Sequence, residues 1–180
     1  MKTLRVAAMA ALMATGATSA TSTMAATAAE LGEPLVYASI AVGGVDGSHE
    51  SYKRDGSQLS IGYGLGYRFN ANYSVELYSR SLEFKIFGPR RDFEYPDSHV
   101  GIAAVGRYPL ARMFSLTGRV GIGRTKMSRD DGVNPSDKTT VTAGVGAALE
   151  FGRHVALTAG YERFSGINTG LWLVGWQLAY

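Results

Sequence analysis

Histidine and serine are the residue types in this chain that most directly suggest covalent chemistry, because the chain contains no cysteine. A serine acts as a nucleophile when a histidine within hydrogen-bonding distance accepts its proton. The chain has three histidines, His49, His99 and His154, and Ser98 lies beside one of them. A pair formed by Ser98 and His99 could assemble such a site. The interpretation that we favour is a solvated histidine at a strand end.

A second group of candidate functional residues consists of arginines and glutamates. They occur at alternate positions of the chain, among small residues. Buried charges of this kind either exchange partners and gate an ion path or form fixed salt bridges that satisfy the interior. The strand pattern described below predicts an eight-stranded barrel, whose interior is only wide enough for side chains, and this favours fixed salt bridges. The charged set is Arg68, Glu76, Arg80, Arg107, Arg119, Glu150 and Glu162.

The elements that must position these charges are strands, because the apolar residues alternate with period two. The clearest case places Leu59, Ile61, Tyr63, Leu65, Tyr67 and Phe69 on one face and three glycines on the other. We predict eight strands, at roughly 35–42, 58–69, 73–80, 100–108, 114–123, 141–151, 155–162 and 169–180. Tight turns at 70–72, 109–112 and 152–154 alternate with polar loops at 43–57, 85–98 and 128–137, while 164–168 leads into the last strand. This order predicts an all-β fold, an up-and-down antiparallel meander that closes into a barrel.

The last strand, TGLWLVGWQLAY, has the largest contrast between its two faces. Trp172, Val174, Trp176, Leu178 and Tyr180 make a bulky apolar face, whereas the other face carries Gly175, Gln177 and Ala179. A strand that meets lipid on one side and a narrow lumen on the other has this pattern.

The first 29 residues read as a signal peptide that is removed on export. Lys2 and Arg5 precede an apolar run from 6 to 17, and small residues give cleavage sites after Ala20, Ala28 or Ala29. The alternative of an uncleaved anchor is disfavoured by the short, Ala- and Thr-rich run. Removal leaves 16 basic and 15 acidic residues, so the composition gives no reason to expect nucleic-acid binding. We assign residues 30–180 to one barrel domain.

Two features indicate which face of the barrel meets lipid. Glycine is frequent on the small face, where a crowded interior needs space and an exposed strand would be weakened. Aromatic residues of the apolar face gather at the tight-turn end, as in an interfacial girdle. They are Phe69, Tyr73, Tyr108, Phe114, Phe151 and Tyr180. We therefore predict an eight-stranded transmembrane barrel with its charges inside.

With these features the sequence resembles the small OmpA-like and OmpX-like outer-membrane barrels, over essentially all of residues 33–180. The resemblance implies the outer membrane of a Gram-negative bacterium, with lipid and lipopolysaccharide as neighbours. It also implies that Val174, Trp176, Leu178 and Tyr180 form a signal for the outer-membrane assembly machinery, although Tyr180 replaces the commoner terminal Phe. No peptidoglycan-binding domain of the OmpA type is expected, and no cofactor or metal.

A segment that interleaves basic and aromatic residues follows the third predicted strand. It contains Lys85, Arg90, Arg91, Phe93 and Tyr95, and it could contact an extracellular partner or lipopolysaccharide phosphates. A solvated loop is the interpretation that we favour. The acidic turn 130–137 hints at Ca²⁺, but its spacing is not that of an EF-hand.

Three functions remain open at this point. The leading one is a non-enzymatic outer-membrane barrel that contributes to envelope integrity or surface interaction. The second is a lipid A-modifying barrel enzyme, although none of the histidines gives the His-x-Ser pair that resemblance to the lipid A deacylases would require. The third is a soluble periplasmic barrel with an apolar ligand inside, since alternation by itself fits either orientation.

Overall fold

A closed antiparallel barrel of eight strands makes up the fold, which confirms the predicted architecture. The structure is a computed structural model, and it describes residues 36–47, 58–82, 94–129 and 136–180. In that part of the chain there are no helices long and apolar enough to cross a bilayer. The strands are β1 (Val36–Gly47), β2 (Gln58–Arg68), β3 (Tyr73–Ser81), β4 (Tyr95–Ala111), β5 (Phe114–Ser128), β6 (Lys138–Phe151), β7 (Val155–Phe164) and β8 (Thr169–Ala179).

Closure joins the first strand to the last. β1 pairs with β8 over the register from Tyr37 with Ala179 to Gly47 with Thr169. Val36 and Tyr180 exchange two backbone hydrogen bonds, of 3.2 and 2.8 Å. Every strand thus has a partner on both sides, and the edge groups that lipid could not satisfy are paired.

The two ends of the barrel differ in their connections. The tight-turn end carries the turns at 70–72, 112–113 and 152–154, and the loop end carries the turn at 165–168. In the first turn, the Asn70 side chain accepts hydrogen bonds of 2.9 Å from the backbone N–H groups of Asn72 and Tyr73. Neither asparagine of this turn has a positive φ, which among the described non-glycine residues occurs at Asn168. The turn is held by side-chain capping instead.

Several strands extend beyond their predicted bounds towards the loop end. Residues 43–47 belong to β1 and residues 95–98 to β4, although both were expected in polar loops. β6 begins at Lys138, three residues before its predicted start. Phe164 ends β7 and is not part of the connection. A β-bulge between Pro96 and Ser98 lets β4 continue past a proline that sequence patterns read as a breaker.

At the other end of β4, Pro109–Ala111 is also strand, beside a second irregularity in the register. The turn that was expected at 109–112 is therefore reduced to residues 112–113.

The outer surface of the barrel is apolar. Seven of the eight strands expose large apolar side chains, among them Ile40, Leu65, Leu77, Ile102, Val120, Val145 and Trp176. The six aromatics expected at the tight-turn end are all exposed, from 38% for Phe114 to 80% for Tyr180. Alternation then turns the other face of every strand into the lumen.

Candidate functional site

Four charged side chains form one cluster in the middle of the lumen. Arg80 on β3 reaches across the barrel to Glu162 on β7, with its Nη2 2.9 Å from Oε1 and its Nε 3.3 Å from Oε2. Arg119 on β5 lies 2.6 Å from Glu162 and 3.2 Å from Glu76. Arg80 Nη2 is also 3.7 Å from Glu76 Oε1. Two arginines thus share two carboxylates, and no side chain of the cluster is more than 13% exposed.

Tyr78 lies between the two arginines and links the cluster to a chain of hydroxyls. The guanidinium carbons of Arg80 and Arg119 are 4.9 and 4.3 Å from the centre of its ring. This geometry permits a cation–π interaction on each side. The Tyr78 hydroxyl makes hydrogen bonds of 2.7 Å with Thr142 and 3.1 Å with His99. We name Tyr78 with Glu76, Arg80, Arg119 and Glu162 the ionic layer.

His99 is buried, so the expectation of a solvated strand-end histidine is wrong. Its side chain is 0% exposed, and Nδ1 lies 2.9 Å from the Thr125 hydroxyl. The Thr125 hydroxyl is in turn 2.8 Å from that of Thr140. Alternation along β4 directs Ser98 to the opposite face, where its hydroxyl donates a 3.4 Å hydrogen bond to Asp97. Both ring nitrogens are engaged in the lumen, and Ser98 and His99 do not form a nucleophile pair.

Glycines directly opposite the large lumen residues supply the space that these side chains occupy. Gly62 pairs with Arg80 across β2 and β3, and Gly144 faces both Arg119 and Glu162. A Cβ at Gly144 would lie 3.1 Å from the Cγ atoms of both partners, and one at Gly66 would collide with the Tyr37 ring. Directly paired residues share a face at close range, so a large residue needs a small one opposite.

A cavity of about 130 Å³ lies between the ionic layer and the tight-turn end. Arg68, Arg107 and Gln177 are among its lining residues. Arg107 donates a 2.9 Å hydrogen bond to Glu150, which also accepts one of 2.7 Å from Ser115. Arg68 lies over the Tyr37 ring at 5.4 Å from its centre. The space suffices for several water molecules beside these groups.

The loop end of the lumen is filled by apolar side chains. They come from β1, β5, β7 and β8, from the end of β3 and from the turn at 165–168. They are Val45, Leu82, Met127, Phe164, Ile167, Leu171 and Leu173, all 8% exposed or less. We name this set the apolar layer. Its connection to the polar interior is Phe164, whose ring meets that of His99 edge to face at 5.1 Å between centroids.

The structure brings together some of the predicted site residues and not others. All seven charged lumen residues point inward, and Arg119 contacts Glu76 and Glu162 but not Glu150. Sequence analysis assigned no role to Tyr78 or to the apolar layer, and it placed His99 in solvent. Tyr78 and His99 follow the inward alternation of their strands, which could have indicated their burial. In the described residues no group of His, Asp and Glu is arranged to hold a metal ion.

The two surface predictions have different outcomes. Val174, Trp176, Leu178 and Tyr180 occupy the outward row at the end of β8, where each is at least 45% exposed. Tyr95 is the first residue of β4 and not part of a loop. Lys85, Arg90, Arg91 and Phe93, the rest of the segment expected to contact a partner, lie outside the described residues, as does most of the acidic turn.

A comparison with protein-family models finds a match. The model described as "Outer membrane protein beta-barrel domain" matches residues 10–179. The chain belongs to this family. A comparison with curated proteins finds no match.

Solved outer-membrane barrels share the fold. Neisserial surface protein A is 14% identical with a TM-score of 0.55, over 81% of this chain and 97% of its own. Ail from Yersinia pestis, crystallised with the heparin analogue sucrose octasulfate, is 18% identical with a TM-score of 0.53, over 82% and 99%. The N-terminal barrel domain of Pseudomonas aeruginosa OprF is 11% identical with a TM-score of 0.52, over 80% and 97%. At these identities the likeness concerns the fold.

Proposed function

We propose that this protein is a non-enzymatic barrel of the Gram-negative outer membrane that contributes to envelope integrity or surface interaction, with a closed lumen. The observation that carries the proposal is the apolar outer surface, which surrounds a lumen that holds seven charged side chains. A soluble barrel would expose that surface to water, whereas lipid covers it at no cost. Short turns lie on the periplasmic side in such barrels, so the loop end faces the exterior.

Lumen contacts support the closed state. The ionic layer spans the barrel from β3 to β7, and the apolar layer fills the loop end above it. Both obstruct an ion path, because the first presents fixed charges in mutual contact and the second offers no polar group to a hydrated ion. Because the lumen is blocked at these two layers, we assign the function of the protein to its outer surface and its loops.

The environment of His99 favours a non-enzymatic role over lipid A modification. Its partners are Tyr78 and Thr125, both buried, and Ser98 lies on the opposite face of β4. A substrate lipid would have to enter a filled lumen to reach it. Mass spectrometry of lipid A from cells with and without the protein tests this point, and a mass difference that depends on His99 would establish the enzymatic alternative.

Partners follow from the two exposed parts of the chain. We expect lipid and lipopolysaccharide around the apolar girdle and the outer-membrane assembly machinery at β8. An extracellular partner would meet the loops, including the basic and aromatic segment 85–95. Ail, a barrel of the same fold, is found in complex with a heparin analogue, so one such barrel accommodates a polyanion.

Cell fractionation combined with a charge scan of the outer surface tests the proposal. Ile61→Arg places a charge on the lipid-facing row of β2 and should cost about 2–4 kcal/mol near the bilayer midplane. Leu59→Arg is the matched control, because the same charge on the same row nearer the loop end costs about 0–1 kcal/mol. A wild-type protein in the soluble fraction, with Ile61→Arg fully tolerated, would contradict the membrane location.

A strain that lacks the protein should become sensitive to detergents and large antibiotics or lose surface adhesion. Complementation with the wild-type chain should restore the lost property. An unchanged envelope and unchanged adhesion would contradict the functional part of the proposal.

A further inference from the structure

Three basic residues interrupt the apolar outer surface near the loop end. Arg124 and Lys126 lie two residues apart on β5, on the outward row that contains Val120 and Ile122. Arg163 lies on β7, on the outward row of Tyr161. All three are exposed. We name them the rim patch.

One strand, β6, lies between the two arginines of the rim patch. Arg124 pairs with Thr139 and Arg163 pairs with Ala143, both on β6. With strands about 4.8 Å apart and about 3.4 Å per residue, the Cα atoms of Arg124 and Arg163 are roughly 17 Å apart. Two extended side chains can shorten that span from both ends. The arrangement suits two phosphates carried at opposite ends of a disaccharide headgroup.

Protein carboxylates do not account for these charges. Arg124 and Arg163 make no ion pair or hydrogen bond with another described residue. Lys126 Nζ lies 4.0 Å from Asp97 Oδ2, with the two side chains 65% and 38% exposed, so this pair is weak. Two further acids lie near this face. Asp46 and Arg163 flank Gly170 from its two sides, and Asp137 precedes β6 beside Thr139, the partner of Arg124. Neither acid forms an ion pair with Arg124 or Arg163.

The height of the rim patch matches a headgroup layer. Tyr161 and Trp172 lie beside one another on the outer surface, with ring centres 4.7 Å apart, just inside the level of Arg163. Aromatic pairs of this kind mark the boundary between lipid tails and headgroups. An outward charge deeper than this boundary would be costly, whereas one at the boundary can meet an anionic headgroup.

We propose that the rim patch binds the phosphate groups of lipopolysaccharide in the outer leaflet, with Arg124 and Arg163 each on a different phosphate. Guanidinium groups bind phosphate oxygens through two parallel hydrogen bonds, which a lone lysine cannot do. The inference rests on the proposed outer-membrane location and adds a specific ligand to it. It assigns β5–β7 as the side of the barrel that orders the surrounding lipid.

Titration of bisphosphorylated lipid A into phosphatidylcholine nanodiscs that contain the purified barrel tests the assignment, with tryptophan fluorescence as the readout because Trp172 lies near the patch. Arg124→Gln and Arg163→Gln should each weaken binding about fivefold, since one basic residue at a membrane surface contributes about that factor. Lipid A without phosphates should bind the wild type no better than it binds the double variant. Arg112→Gln, an exposed arginine in a tight turn, is the matched control and should leave binding unchanged.

Equal loss in Arg112→Gln, equal affinity for dephosphorylated lipid A, or equally tight binding of phosphatidylglycerol would overturn the inference. The first two results would remove the role of phosphate at this patch, and the third would reduce it to general attraction of anions. A wild-type barrel that fails to insert and shows no heat-modifiable gel mobility would instead contradict the proposed function. A barrel that inserts normally but does not discriminate phosphate contradicts the rim patch alone.

Discussion

The ionic layer and the apolar layer fill adjacent parts of one lumen by opposite means. In the ionic layer, each carboxylate is shared by two guanidinium groups, and removal of one partner strands the others in a buried site. In the apolar layer, seven side chains pack without a polar contact to maintain, and a change in one of them leaves a void that neighbours can partly fill.

This difference gives the two layers different roles: one specifies the strand register and the other contributes stability through burial. A shift of one residue in β3, β5 or β7 would turn the charges of the ionic layer out into lipid, so this layer penalises incorrect register of these strands strongly. An apolar layer accepts substitutions of similar volume and therefore discriminates less. Buried ion pairs contribute little net stability relative to apolar packing, and we assign the ionic layer chiefly to register and the apolar layer chiefly to burial.

The largest effect is expected from Glu162→Gln. Glu162 bridges Arg80 and Arg119, so the substitution leaves two buried guanidinium groups with one carboxylate between them. We expect the free energy of unfolding to fall by about 3–5 kcal/mol. Urea titration of the barrel in vesicles, followed by heat-modifiable gel mobility, measures it. Glu150→Gln is the control, since that side chain is 29% exposed and its loss should be much smaller. Equal losses would remove the distinction between the ionic layer and the mouth of the lumen.

Leu171→Ala tests the apolar layer and should have the next largest effect. Leu171 is fully buried, and truncation of a buried leucine costs about 2–5 kcal/mol. The matched control is Leu178→Ala on the same strand, because Leu178 is 45% exposed and lipid replaces its contacts. A similar loss of stability in both variants would show that the lumen at the loop end is not the packed region.

Conductance measurements compare how far each of the two layers blocks the passage of ions. Planar-bilayer recordings of the wild type should show little or no steady current. Arg119→Ala opens the ionic layer and Phe164→Ala opens the apolar layer, and neither alone should conduct because the other layer remains. The double variant should conduct. A steady current from Arg119→Ala alone would show that salt bridges are the sole barrier, and a current from the wild type would contradict the closed lumen.

The smallest effect on stability is expected from Tyr180→Asp, which belongs to neither layer. Tyr180 is 80% exposed, so its side chain contributes little burial. Refolding into detergent should remain near wild type, whereas the yield in the outer membrane should drop if the assembly machinery reads this residue. Parallel loss in both measurements would assign Tyr180 to barrel stability, and no loss in either would remove its role as a signal.

The sequence alone determined the strands and the direction of their side chains. The period of two is a local property, so Arg68, Glu76 and Glu162 could be assigned to the lumen without knowledge of any contact. The lipid-facing row of β8 followed from the same rule, as did the frequent glycines of the inward face.

Only the tertiary structure decided which residues meet. Arg119 contacts Glu76 and Glu162 because closure and strand stagger bring β3, β5 and β7 to one level, and no local pattern encodes stagger. Alternation along β4 directs His99 inward. Its ring is buried because Tyr78, Thr125 and Phe164 contact it from three other strands, which only the closed barrel brings together. The apolar layer required Leu82 and Ile167 to fold inward from the ends of their elements, because such positions acquire an inside only when the barrel closes around them.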